Sequence, residues 1–417
     1  MNRNVLWTKG HKILSFEVFT DKGGESVNML GQIGFIKYFE DVVDPSLHVD
    51  ITIFDTNGLI NKLPIRSGSV VKLQLTHPSQ EDPFQLSLIV TNISGHIIDQ
   101  KREIYTLTCE TKGALSNHTN RVWTKFTGSI AATVSTIINE KIEGEINEVD
   151  TTSNDLEFYG NYRRPFKVIS DLCRKAIPST SGSSDIGSGG TAGYLFYETK
   201  DGYNFRSIDK IFKDDEVKET YEMTPFKEAL DVSNNFKLAS SPSMKESHDI
   251  IKKLRSGAFS SSNWYYDVLK RKVIFHNFKF NENIELANDE EVVPTDYKEP
   301  YSRIILSTLD QGTTTPNSKG LDTNTPQRQA EFQAQASARY AAMFSQILDI
   351  TVPMNLSLRA GNVIDVKFPD LNTGKPEEKN SPESGKYMIA KLSHEFGNPE
   401  GDFTGLSLVR DSFTINE

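Results

Sequence analysis

The chain has 417 residues, with 46 Lys and Arg against 56 Asp and Glu, and its formal charge of -10 excludes a surface built to grip the phosphate backbone of nucleic acid. Hydrophobic content of 37% and aromatic content of 10% exclude wholesale disorder, and the length predicts several domains with cores of their own. No apolar run approaches the roughly 20 residues of a membrane helix, so no membrane span is expected.

The opening "MNRNVLWTKGHKI" lacks the charged-then-apolar pattern of a secretory leader. Two distant cysteines, Cys109 and Cys173, predict buried thiols in place of a disulfide framework or a Cys-based zinc site. Residues 11–110 then alternate between apolar and polar. "ILSFEVF" (13–19), "LHVDITI" (47–53), "VKLQL" (71–75), "LSLIV" (86–90) and "IYTLTC" (104–109) read as half-buried strands, separated by "DTNG" and "HPSQEDP" turns.

The period then lengthens. "TGSIAATVSTIINEKI" (127–142) repeats apolar residues at three and four and predicts a helix, with Thr127 as its N-cap. "RRPFKVISDLCRKAI" (163–177) predicts a second, with Pro165 in the first turn. The Gly/Ser tract 178–193 predicts a surface loop, since it lacks the Lys-Ser/Thr of a phosphate-binding loop and leads into a strand.

"YLFYETKDGYNFRSID" (194–209) predicts a hairpin turned at Asp201-Gly202, and "WYYDVLKRKVIFHNFKF" (264–280) another with a basic "KRK" tip, read as solvated surface. The polar tract 310–326 precedes the clearest helix, 327–348. Its face of Phe332, Ala336, Arg339 or Tyr340, Met343, Phe344 and Ile347 predicts packing and not a cofactor box. Strand-like segments follow at 348–354, 356–368, 386–396 and 403–413.

Two of these stretches are written twice. "LPIRSGSVVKL" (63–73) aligns with "LSLRAGNVIDV" (356–366), sharing Leu63/Leu356, Arg66/Arg359, Gly68/Gly361 and Val70/Val363. Upstream, "VDITI" (49–53) matches "LDITV" (348–352), and the first copy carries six more residues between the matched segments. A Gly after a small residue also marks unrelated tight turns, but the second match in the same order favours a duplicated unit.

The expected fold class is α+β, mainly β, with two similar antiparallel β-barrels plus smaller helix-containing and hairpin lobes. A first β-barrel spans 1–115, and an α/β lobe with two helices and a hairpin spans 116–215. A mixed lobe with hairpins spans 216–320 and can lend strands to the second barrel. A helix and that second β-barrel span 321–417.

No recognisable chemistry stands out. G-x-S-x-G is absent, "SHEFG" (393–397) lacks the second His of a zinc helix, and the acidic runs 213–216 and 288–291 read as solvated loops. No catalytic, cofactor-binding or metal residue is therefore assigned, and no cofactor is expected.

In the order barrel, two helices, "GYLFYETKDGYNFRSID" hairpin, polar loop, "QAQASARYAAMFSQILDITVPMNLSLRAGNVIDVKFP" and "GKYMIAKLSHEF", the chain resembles the baseplate hub protein of contractile-tailed, T-even-type bacteriophages. The resemblance covers most of the chain, is strongest over 326–396, and rests on arrangement and apolar pattern. It implies a non-enzymatic homotrimer in the virion tail baseplate, assembled in the host cytoplasm. Its barrels would form a pseudo-six-fold ring on the tail tube or a tube-initiator ring. Its other lobes would meet the central spike protein and neighbouring baseplate proteins, while DNA passes through the lumen without specific binding. A cell-wall hydrolase using an acidic cluster, or a glycan-binding tail component, are the alternatives.

Overall fold

The computed structural model describes residues 10–19, 26–62, 65–78, 80–98, 102–179, 191–222, 240–247, 249–267, 271–279, 301–308, 326–368, 383–398 and 401–412. Alternation builds the first repeat: β1 (Lys12–Phe19), β2 (Ser26–Asn28), β3 (Ile33–Asp41) and β4 (His48–Asp55), the short helix α1 (Leu59–Lys62), then β5 (Val70–His77), β6 (Gln80–Ile98) and β7 (Glu103–Glu110). Val49, Ile51 and Ile53 of β4 and Val71, Leu73 and Leu75 of β5 all turn into the core, as period-two patterning requires. The strand order is β3-β4-β7-β6-β5-β1-β2.

The second lobe contains α2 (Lys112–Thr119), β8 (Lys125–Phe126), α3 (Ile130–Ile137), β9 (Ile146–Val149), β10 (Phe158–Tyr159), α4 (Pro165–Cys173), β11 (Tyr194–Thr199), β12 (Gly202–Ser207) and α5 (Ile208–Asp214). The cap of α3 is Ser129 and not Thr127, because the Ser129 hydroxyl is the group that accepts the Ala132 N–H. The helix runs on into a π-turn at Ile138–Ile142. Pro165 opens α4 as expected. Thr199 pairs with Gly202, so the β11–β12 hairpin turns at Lys200–Asp201, one residue before the expected pair. Cys109 and Cys173 are both free and buried.

β13 (Thr220–Glu222), β14 (Ser240–Ser247), α6 (Ile250–Ser256), β15 (Ser260–Asp267), β16 (Lys272–Lys279) and β17 (Arg303–Thr308) follow. β16-β15-β17 form a separate small sheet. α7 (Pro326–Met343) ends earlier than expected, leaving Ile347 to the next strand. It is buried on two faces. Phe332, Ala336, Arg339 and Met343 pack toward the second lobe and the last strands, while Ala334, Ala338 and Ala342 receive Phe278 of β16. Among the described residues, no helix is long and apolar enough to cross a membrane.

β18 (Gln346–Pro353), β19 (Val363–Lys367), β20 (Gly385–Phe396) and β21 (Phe403–Arg410) complete the chain. They repeat the first unit strand for strand, as β18-β21-β20-β19 matches β4-β7-β6-β5. The register repeats too. Val49 faces Cys109 and Ile51 faces Leu107, while Leu348 faces Leu408 and Ile350 faces Leu406, every residue 299 positions after its counterpart. Even the irregularity in β6 between Val90 and Asn92 returns in β20 between Ile389 and Lys391. The six additional residues of the first copy fall in the β4–β5 connection, which holds α1.

The class is therefore α+β, mainly β, with two similar units. Neither unit is a closed barrel among the described strands. Both belong to one 13-stranded sheet, because β3 of the first repeat pairs with β20 of the second and takes up the edge groups that closure would need. One hydrophobic core runs across that join, from Phe16 through Ile51 and Leu107 to Ile350 and Leu408.

Candidate assembly site at the seam between the repeats

The seam is an antiparallel ladder in which Lys391 faces Asp41, His394 faces Tyr38 and Phe396 faces Ile36. Salt bridges tie its rim, Lys391 Nζ to Asp41 at 2.8 Å and Lys37 Nζ to Glu395 at 3.4 Å. Its interior is less ordinary, because Ile36, Tyr38 and Glu40 share one face of β3, so alternation sends a carboxylate inward.

Glu40 is held by donors from three parts of the chain. Its Oε1 accepts the Tyr38 hydroxyl at 2.5 Å and the Lys200 N–H at 3.0 Å, and its Oε2 accepts the Ala360 N–H at 2.7 Å. Burial raises the carboxyl pKa above its ordinary value, opposed by the Arg359 guanidinium and these hydrogen bonds. The second lobe contributes Glu198, whose Oε2 accepts the Leu47 N–H at 3.2 Å and the Thr111 hydroxyl at 2.8 Å. Burial pushes Glu198 up to about 8. Two buried carboxyl groups thus clamp the second lobe and both repeats onto the seam.

The second of the duplicated turns adjoins this clamp through Ala360. In the first, the Gly68 N–H donates to Val90 O at 2.7 Å and the Val90 N–H to Ser69 O at 2.9 Å. In the second, the Gly361 N–H donates to Ile389 O at 2.8 Å and the Ile389 N–H to Asn362 O at 2.9 Å. Both glycines have positive φ, 99° and 84°. Their surroundings differ. Gly68 is exposed, whereas Gly361 is buried against Tyr197 beside Ala360, whose N–H holds Glu40. Arg359 is half-buried and reaches Asp201 at 2.7 Å, whereas its counterpart Arg66 is exposed.

The segments weighed for chemistry scatter. His394 of "SHEFG" lies in the middle of the seam, stacked on Tyr38, with Nδ1 2.9 Å from Thr404 Oγ1. Burial lowers its pKa well below 6.5, aided by Arg359 and His77, so the ring is neutral at neutral pH. In the 213–216 run, Asp215 pairs bidentately with Arg206, while 288–291 lies outside the described residues. Arg271 of "KRK" is exposed, and Lys270 and most of the 178–193 tract are outside the described residues. No group of three His, Cys, Asp or Glu among the described residues could hold a metal ion. The residues that do converge, Glu40, Glu198 and Tyr38, belong to no motif.

No family model matches the chain, and no curated protein matches it in sequence. Solved structures do. A tail protein from Neisseria meningitidis MC58 superposes with a TM-score of 0.57 at 10% identity, over 96% of this chain and 97% of that one. The 43 kDa tail protein of prophage MuSo2 from Shewanella oneidensis gives 0.55 at 10% identity, over 95% and 98%.

The chain has the fold of these two tail proteins. Near-complete coverage in both directions means that the tail-protein fold takes in the repeats, the second lobe and the hairpin lobe together. At 10% identity the likeness fixes the arrangement of elements and leaves the side chains of the seam to be read from this chain alone.

Proposed function

We propose that the chain is the structural, non-enzymatic hub of a phage tail baseplate. It acts as a homotrimer whose six repeats form a pseudo-six-fold ring. The ring joins a six-fold tail tube or tube-initiator ring to a three-fold central spike, in contact with neighbouring baseplate proteins. The observation that carries this is the duplication: two units of one strand order and one register sit side by side in one sheet. Three chains would then present six near-equivalent units around an axis, which matches a six-fold partner on one side while the chain as a whole keeps three-fold symmetry.

The divisions 1–115, 116–215, 216–320 and 321–417 are the domains of this reading, with β13 and β14 of the third segment pairing β19 and β18 of the fourth. A net charge of -10 favours a conduit through which DNA slides without being held. Such a protein would be assembled in the host cytoplasm and reside in the virion tail. Light scattering on the purified full chain, alone and with its spike protein, tests the proposal. A trimer with three-fold averages in electron micrographs is expected, and a monomer under both conditions would refute it.

A further inference from the structure

Resting on the ring just proposed, we infer which edges join one chain to the next: β6 of one protomer, at residues 92–98, pairs with β14 of its neighbour. The seam between chains would thereby copy the seam within a chain. The argument starts from an equivalence. β3 lies antiparallel on β4 with Lys37 facing Asp50 and Tyr38 facing Val49; β14 lies antiparallel on β18 with Ser243 facing Asp349 and Met244 facing Leu348. Since Asp349 and Leu348 are the counterparts of Asp50 and Val49, β14 occupies in the second repeat the place of β3 in the first.

Within the chain, the outer edge of β3 is filled by β20. The corresponding contact, between β14 and the β20 equivalent β6, is not made. Among the described strands β14 pairs only β18, and the 92–98 part of β6 pairs only β7. The exposure of matched side chains shows what is missing. Phe396 at the end of β20 is 1% exposed, and its counterpart Ile98 is 73% exposed, with Ile97 beside it at 61%. A long edge carrying bare isoleucines is a standing invitation to pair, and natural proteins blunt such edges unless a strand covers them. A glycine bulge at Gly95, φ 63°, bends this edge where β20 is regular.

Each chain owns one edge of each kind, so the contact is head-to-tail, and three copies close it into a ring in which seams within and between chains alternate. The register follows from the template. Lys37 faces Glu395 inside the chain. Ile97 is the counterpart of Glu395, because it faces Ile104 as Glu395 faces Phe403. Ser243 of one chain therefore faces Ile97 of the next, and Pro242 faces Ile98 as Ile36 faces Phe396.

The test is a double variant of the full chain, Ile97→Cys with Ser243→Cys, treated with a short bismaleimide and run on a denaturing gel beside light scattering of the untreated protein. Native Cys109 and Cys173 are buried and give little background. A covalent trimer, lost in either single variant, is the expected result. A native trimer that does not cross-link overturns the seam and leaves the ring standing; a monomer both alone and with the spike protein removes both; a ladder without end overturns closure. Independently, Ile98→Lys on the exposed edge should abolish the trimer while circular dichroism stays unchanged, and a trimer that persists contradicts the seam.

Discussion

Adding one methyl group to each of the two duplicated turns separates backbone shape from packing. Gly68 and Gly361 have the same hydrogen bonds and both have positive φ, so Ala at either costs about 1–2 kcal/mol for the left-handed backbone. At Gly68 a Cβ meets nothing within 4 Å. At Gly361 it would lie 2.0 Å from Tyr197 Oη and 2.7 Å from Cζ, so the buried Tyr197 ring, 2% exposed, would have to shift toward the cavity it lines. Overpacking of that kind adds about 1–3 kcal/mol. Gly361→Ala should therefore lose about 2–5 kcal/mol in urea unfolding and Gly68→Ala about 1–2, with Tyr197→Phe recovering part of the difference in the Gly361 background alone. Equal losses at the two turns would refute the packing argument.

Glu198 should make stability fall with rising pH. Its folded pKa of about 8 exceeds the ordinary 4.5, so between those values the folded state holds the extra proton and loses ground as pH rises. At about 1.4 kcal/mol per pKa unit the full window is worth up to ~5 kcal/mol. Glu198→Gln keeps an oxygen for the Leu47 N–H and the Thr111 hydroxyl, so its unfolding free energy should vary less from pH 5 to pH 8.5 and exceed wild type at the upper end; an unchanged slope would count against the assignment. Arg339 is buried between Asp209 and Asp411, 2.7 Å from the former. Arg339→Met leaves two buried carboxylates without that cation and should lower stability by about 3–5 kcal/mol, partly restored by adding Asp209→Asn and Asp411→Asn. A thermal melt of the single variant that matches wild type would contradict this.

Strands with one buried face were legible because alternation records burial directly, and the duplication was legible because the turns need Gly at one place. Helices α1, α2, α5 and α6 were not, being four to eight residues long and too short for an apolar stripe to repeat. The second face of α7 was missed because Ala334, Ala338 and Ala342 look like neutral filler until Phe278 is seen against them. Glu40 could have been found, since it follows Ile36 and Tyr38 on the inward side of its strand. Glu198 could not, because every residue of β11 is buried and the strand shows no alternation. The seam itself joins residues more than three hundred positions apart, and nothing local encodes that.

The two repeats have kept their backbone and changed the side chains at their rims, and the pattern of change carries information. Where the second copy meets its own chain it has Phe396 buried, Gly361 against Tyr197, and Arg359 half-buried on Asp201; the matching positions of the first, Ile98, Gly68 and Arg66, are exposed. Had the two copies faced equivalent neighbours inside the chain, these pairs would be similarly buried. Their divergence means that one copy's neighbour is supplied by the chain and the other's is not. A duplicated unit whose strand register is preserved while one of two equivalent edges is left bare is what the proposed ring requires, since there another protomer would supply the missing strand.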